Sequence, residues 1–133
     1  MKERQMMVIR PGIDRGNEWF WEGVREHRLL IQRCSSCRNL RYPDAPMCGA
    51  CQSLEWDTQE ASGRGSVHSW VVSHHPSRHD ESRIVVLVDL QEGVRIVSNI
   101  VDAEVDELRH DLPLQLTFRT YGDVTLPQFV IVR

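Results

Sequence analysis

Four cysteines fall in one short stretch, CSSCRNLRYPDAPMCGAC, as two C-x-x-C pairs: Cys34 with Cys37 and Cys48 with Cys51, ten residues apart. Each short loop can turn its two sulfurs the same way, so the pairs can converge on one ion as a tetrahedral, all-thiolate site. Zinc is the metal that this spacing favours, and iron suits the same four sulfurs. The competing readings are a thioredoxin-like redox pair, which needs one C-x-x-C opening a helix after a strand, a rubredoxin-type iron site, and unrelated core cysteines. A closed shell of four thiolates has no position for water or substrate, so such a centre fastens a fold and does no chemistry itself. Between the pairs only Leu40, Tyr42, Ala45 and Met47 are apolar. They are too few to hold the segment, whereas structural zinc contributes about 10–16 kcal/mol to small fingers. Many knuckles of this kind carry Gly after the second cysteine; Arg38 and Gln52 stand there instead, so a modest strain or a different turn is expected.

The second group with chemical potential is His68, His74, His75 and His79, close in sequence to Asp80 and Glu81. A histidine with a carboxylate can form an acid/base pair. The plainer reading is a polar, exposed loop, since His74 and His75 lead into Pro76. A second metal site would need a convergence in space that sequence does not specify. There is no G-x-S-x-G elbow, no glycine-rich phosphate loop, and no cysteine to spare once a metal is bound. A self-sufficient enzyme is the weaker hypothesis.

The elements that must position these residues read as follows. Residues 1–15 form an arm broken at Pro11-Gly12, and 16–28 a helix with Asn17 as its N-cap and Arg28 near its end. Trp19, Phe20, Gly23, Val24 and His27 share one helical face. Trp21 does not, because three successive aromatics sweep about 200° of helix surface. It either lies flat on the domain or meets a partner or an acyl chain. Residues 29–61 form a rubredoxin-like zinc ribbon with short strands near 29–33, 40–42 and 54–60.

From residue 62 to 133 the pattern is of strands. SVHSWVVSH alternates, with Val67, Ser69, Val71 and Ser73 on one side and His68, Trp70, Val72 and His74 on the other; IVVLVDL and VRIVSNIV follow. DAEVDELRH reads as a short helix before LQLTFRT and QFVIVR. The order β-β-β-α-β-β is that of the OB-fold, a five-stranded barrel. The fold class is therefore mainly β: an N-terminal helix, a zinc ribbon and an OB-fold barrel. In such barrels one face and the loops after strands one and four meet ligands, here HPSRHDES and YGDVTLP.

The bulk composition, 41% hydrophobic and 26% charged, is that of a soluble globular chain. The first residues show no apolar leader, so a cytoplasmic protein without stable disulfides is expected. Net charge is −3, which argues against a general binder of phosphate backbones. The basic residues are fifteen Arg and the single Lys2. Arg is the side chain for forked recognition of phosphate or carboxylate, although codon bias gives the same count.

With helix, ribbon and barrel in this order, the chain resembles the acyl-CoA-associated OB-fold/zinc-ribbon family, formerly a domain of unknown function. FWEGVREHRLLIQRCSSCRNLRYPDAPMCGAC, ASGRGSVHSW, EGVRIVSNIVD and LPLQLTF carry the resemblance, from about Asn17 to the C-terminus. Where relatives often have Gly before the last segment, this chain has Asp111. The resemblance implies a non-catalytic accessory subunit beside thiolase-like enzymes, including lipid-transfer-type aldolases of steroid side-chain degradation, or beside enoyl-CoA hydratases. The partner would supply the catalytic groups. Under that implication Arg33, Arg38, Arg41 and Arg64 are candidates for contacting coenzyme A, the alternative being that they offset a negative metal centre. Trp19, Phe20, Trp21, His74, His75 and Tyr121 are candidates for partner or ligand contact, with a homodimer as the fallback. The alternatives are a single-stranded nucleic-acid binder, since Trp70, Phe118, Tyr121 and Phe129 could stack on bases, and a stand-alone acyl-CoA-binding protein or enzyme.

Overall fold

The computed structural model describes residues 10–78 and 81–133. Residues 1–9 of the expected arm, and His79 and Asp80 of the histidine-rich loop, lie outside the described residues. Among the described residues no helix is long and apolar enough to cross a membrane.

Helix α1 spans Glu18–Arg25, shorter than the expected run to Arg28. His27 takes a left-handed backbone (φ 59°), and the Arg28 and His27 amides donate to the Gly23 and Val24 carbonyls at 2.8 and 2.9 Å. This paired closure ends the helix and sends the chain directly into the first strand. Gly23 permits the tight return: a Cβ there would lie 2.9 Å from Leu30 Cγ and 3.0 Å from the Arg28 carbonyl oxygen. Asn17 does not cap the helix with its side chain. Its amide instead accepts from Asp14 N–H at 2.8 Å and donates to the Gly12 carbonyl at 2.9 Å. Asp14 Oδ1, placed upstream, receives the Gly16 and Asn17 amides.

Strand β1 (Leu30–Cys34) is the centre of a three-stranded antiparallel ribbon, with β2 (Leu40–Arg41) on one side and β3 (Trp56–Glu60) on the other. The rest of the chain closes a barrel from β4 (Arg64–His74), β5 (Ser82–Leu90), β6 (Arg95–Ile100), β7 (Pro113–Tyr121) and β8 (Val124–Ile131). The order is β4-β5-β6-β8-β7, with β7 returning to β4 and only β6 and β8 parallel. That is the OB-fold barrel.

β4 departs from simple alternation. A bulge between Val67 and Ser69 inserts one extra residue, so Val67, Trp70 and Val72 stand opposite Val88, Val86 and Ile84. All three then share the interior-facing side, and Val71 is turned outward at 63% exposure. The expected pairing of Trp70 with Val72 holds, but Val67 joins them because the bulge resets the period of two. Gly65 sits where the strands crowd: a Cβ would lie 2.7 Å from Val88 Cγ1 and 2.8 Å from the Asp89 carbonyl oxygen.

Between β6 and β7 the expected helix is a single 3-10 turn, Val105–Glu107, closed by a reciprocal Glu104/Glu107 capping box. Left-handed Asp102 (φ 60°) and Asp111 (φ 64°) bracket the segment; Leu108 is its one buried side chain, with Ala103 half-buried against the core. One large apolar anchor and one small one are too little for an amphipathic helix. Asp111, standing where glycine was expected, keeps the left-handed turn and donates its N–H to the Val67 carbonyl at 2.8 Å.

The core is continuous across ribbon and barrel. Leu29, Ile31 and Ala61 join Val67, Val86, Val88, Leu114 and Phe129 in one buried cluster, with Phe20 of α1 packed against it.

Candidate functional site

The four cysteines meet at one point. Their Sγ atoms all lie within 4.8 Å of one another, and Cys34–Cys51 and Cys37–Cys48 are each 3.6 Å apart. A tetrahedral ion with metal–sulfur bonds of about 2.3 Å would set sulfurs about 3.8 Å apart. A disulfide would need about 2.05 Å, and all four are free cysteines. Each nearest approach joins one pair to the other, which is the arrangement for holding an ion between two knuckles.

The knuckles are backbone copies. Arg38 N–H donates to the Cys34 carbonyl and Gln52 N–H to the Cys48 carbonyl, both at 2.9 Å; Cys34 and Cys48 N–H donate to the Asn39 and Ser53 carbonyls, also at 2.9 Å. Arg38 (φ 71°) and Gln52 (φ 63°) both sit in the left-handed region, as expected of residues standing where glycine is usual. The amides of Cys37 and Ala50 point at the sulfurs of Cys34 and Cys48, at 3.5 and 3.4 Å.

These amides favour thiolate. The Cys34 thiol is lowered to about 6, chiefly by the Cys37 N–H, and Cys48 is lowered by the Cys51 and Ala50 amides. Cys51 is pushed the other way, to about 11: the Ser53 N–H lowers it, but the neighbouring sulfur of Cys34, burial, and Cys37 and Cys48 outweigh that amide. Four sulfurs this close cannot all ionise without a cation between them. The donor set therefore fits a divalent metal that prefers soft ligands.

The arginines near the ribbon do not form one cluster. Register pairs Gln32 with Arg41 and Arg33 with Leu40, so Arg33 and Arg41 project from opposite faces. Arg33 is held in a fork by Asp57 at 2.7 and 3.0 Å, with Arg38 at 3.8 Å from the same carboxylate. The Arg33 guanidinium keeps the Asp57 carboxyl below the usual carboxylate range. Arg64 is exposed at the start of β4. Arg41 donates Nε to Gln32 Oε1 at 2.7 Å and Nη2 to the Ala45 carbonyl at 2.9 Å. Gln32, only 3% exposed, was not singled out from sequence; a lone glutamine in a short strand gives no signal of its role.

The aromatic candidates divide. Phe20 packs on the core with its ring edge-on to Trp19 and Trp21. Trp19 donates its indole N–H to the Gly16 carbonyl at 2.8 Å and lies 5.4 Å from Trp56, another residue sequence reading passed over. Trp21 sits in a groove with Pro11, Ile13, Val124 and Thr125, so the arm and the β7–β8 hairpin flank it. Tyr121 donates its hydroxyl to Gln128 Oε1 at 2.9 Å. His74 is exposed. His75 Nδ1 receives the Ser77 and Arg78 amides at 3.2 and 3.1 Å, a turn-closing role. Among the described residues the four cysteines are the one metal-competent group.

Comparison with known proteins agrees with this geometry. A family model described as the ChsH2 rubredoxin-like zinc ribbon domain matches residues 21–57, and one described as the ChsH2 C-terminal OB-fold domain matches residues 58–119. The chain is 41% identical over 123 residues to a probable enoyl-CoA hydratase alpha subunit of Thermomonospora curvata, covering 90% of this chain and 39% of that protein. It is 32% identical over 121 residues to the 3-oxo-4,17-pregnadiene-20-carboxyl-CoA hydratase alpha subunit of Mycobacterium tuberculosis, again 90% of this chain and 39% of that protein. The chain thus spans about two fifths of the length of these curated relatives. A chain in the solved structure of the Ltp2-ChsH2(DUF35) aldolase superposes with a TM-score of 0.85 at 40% identity, over 92% of this chain and 98% of that one.

Proposed function

This chain belongs to the ChsH2 (DUF35) family of zinc-ribbon and OB-fold proteins, and from that premise we propose that it is a non-catalytic accessory subunit of an acyl-CoA-processing enzyme. Its partner would be a thiolase-like aldolase or an enoyl-CoA hydratase, acting in lipid or steroid side-chain metabolism. The observation that carries the reading is the match over 98% of a chain from a two-component aldolase. Two relatives named as alpha subunits of acyl-CoA hydratases support the same chemistry.

The residues agree with a supporting role. Zn2+ held by Cys34, Cys37, Cys48 and Cys51 would be a closed centre, anchoring the ribbon and leaving no site for substrate. Trp19, Phe20, Trp21, His74, His75 and Tyr121 remain the proposed contacts to partner or ligand. Of the arginines proposed for coenzyme A, Arg64 is the one with an exposed side chain and no carboxylate partner among the described residues, so it is the first to test; Arg33 is already bound to Asp57.

The test is co-expression with candidate thiolase-like and hydratase chains, followed by light scattering on the purified material and assay of each component alone and together. A stable complex whose activity needs both chains is the expected result. A partner that is soluble and fully active by itself would overturn the proposal.

A further inference from the structure

A closed thiolate shell gives substrate no position, but its sulfurs remain nucleophiles toward a small oxidant. The four are not equally open. Cys34 and Cys48, the first of each pair, are 0% and 3% exposed, Cys37 is half-buried, and Cys51 is exposed. The knuckles share one backbone turn, so the difference lies in the residues around it. Between Cys34 and Cys37 stand Ser35 and Ser36, and Ser36 Oγ is tied to Ser53 Oγ at 3.0 Å. Between Cys48 and Cys51 stand Gly49 and Ala50, and a Cβ added at Gly49 would meet nothing within 4 Å. That loop has no side chain large enough to cover Cys51.

The sulfurs also face one another in a defined way. Within the knuckles, Cys34 and Cys48 receive amides of their own loops, Cys37 N–H at 3.5 Å and Ala50 N–H at 3.4 Å. The sulfur–sulfur contacts at 3.6 Å run across, from Cys51 to Cys34 and from Cys37 to Cys48. A disulfide on such a contact draws its sulfurs closer by about 1.5 Å, to the bonded length of about 2.05 Å. A Cys34–Cys51 bond closes the chain over both knuckles, whereas a bond inside one C-x-x-C pair closes a single short loop and leaves the knuckles free of each other. The crossed bond therefore keeps the two loops together as a metal would.

We propose that Cys51 is an oxidation site for hydroperoxides and that Cys34 resolves it, so that a disulfide between the knuckles takes over from the metal as the fastener of the ribbon. The Cys51 thiolate attacks one peroxide oxygen: an S–O bond forms, the O–O bond breaks, and the departing hydroxide takes a proton from solvent to leave as water. The Cys34 sulfur then attacks the Cys51 sulfur. The S–S bond forms, the S–O bond breaks, and the hydroxyl leaves as water with a second proton from solvent. The two thiolates give up two electrons and the peroxide takes them up. Burial is no obstacle to Cys34, whose target is the neighbouring sulfur. Cys37 and Cys48 repeat the sequence with a second peroxide, after which no thiolate remains to hold the metal. The inference rests on the four-cysteine centre and is independent of the subunit role proposed above.

The test is titration of the metal-loaded full chain with hydrogen peroxide, each point quenched in acid, alkylated, digested with trypsin and mapped by mass spectrometry. Cleavage after Arg33, Arg38, Arg41 and Arg64 puts Cys34 and Cys37 in one peptide and Cys48 and Cys51 in another. A crossed disulfide therefore joins two peptides, and an intrapair disulfide joins none. With one equivalent of peroxide the joined peptides are expected, with the alkyl groups on Cys37 and Cys48. Two equivalents should remove both alkyl groups and release the metal to a chromogenic chelator. Amide exchange in residues 30–34 should be at least about tenfold slower in the oxidised, metal-free chain than in the chelated, reduced one. Cys34→Ser should leave Cys51 as a sulfenic acid that dimedone traps. If Cys34→Ser fails to fold, the peptide map of the unaltered chain still decides. Intrapair disulfides, a first oxidation that spares Cys51, sulfinic acid without a disulfide, or equal exchange in the two metal-free forms would overturn the proposal.

Discussion

Arg38 and Gln52 are backbone equivalents: each follows the second cysteine of its pair, each is left-handed at φ 71° and 63°, and each donates its N–H at 2.9 Å to the first cysteine's carbonyl. The two-fold likeness lets both loops present their sulfurs to the same point. For residues with a Cβ that turn costs about 1 kcal/mol or more.

Gln52→Gly should therefore stabilise the metal-loaded protein by about 1 kcal/mol, read as a higher denaturant midpoint at unchanged slope. Gln52 is the cleaner of the two, because Arg38 also lies 3.8 Å from Asp57 and would lose that contact. A destabilised Gln52→Gly protein would mean that the turn carries no strain.

Removal of the metal should reach the barrel as well as the ribbon. Leu29 and Ile31, beside and within β1, lie in the same buried cluster as Phe129 and Val88, so releasing the knuckles loosens one wall of the core. Elemental analysis should give one zinc per chain. Chelation, or Cys48→Ser, should lower Tm and raise amide exchange in β1 and in the strands packed against it. Unchanged exchange in the barrel would show that the two parts are energetically separate.

His27 ends the helix and touches the barrel at once. Its ring stacks on Phe118 at 5.0 Å between centroids and 7° between planes. His27→Ala removes the stack and should cost about 0.5–1.5 kcal/mol. His27→Gly removes the same stack but relieves the left-handed backbone, so it should lie above Ala in Tm. Equal losses for the two would remove backbone strain from this account.

Acid stability should report on Asp102. Its carboxyl is held below the ordinary value of 3.8, chiefly by the hydrogen bond from Arg119, burial opposing and the charges of Arg119 and Arg133 assisting. A group depressed in the folded state contributes stability that is full above its unfolded value and fades as pH falls through the folded one. Asp102→Asn should thus melt lower than the parent at pH 7, and the gap should close as pH drops below about 4. A gap that is constant with pH would assign the loss to packing.

The sequence alone determined the four-cysteine cluster, because the spacing that makes it is local: two C-x-x-C loops can face one point whatever surrounds them. It also determined the order of strands, since β-branched runs between turn residues carry their own period, and the resemblance to the family came from the same segments. Tertiary structure decided what depends on contacts between distant residues. The bulge after Val67 is set by its pairing with β5, the helix end at His27 by the close return onto Leu30, and the loss of a helix at 102–110 by the lack of an apolar face to bury. It also separated Arg33 from Arg41, because Arg41 pairs with Gln32, whose side chain and that of Arg33 point to opposite faces of the ribbon. None of these is visible along the chain, because each is fixed by which residues the folded backbone brings together, from Gly23 with Leu30 to Val67 with Val88.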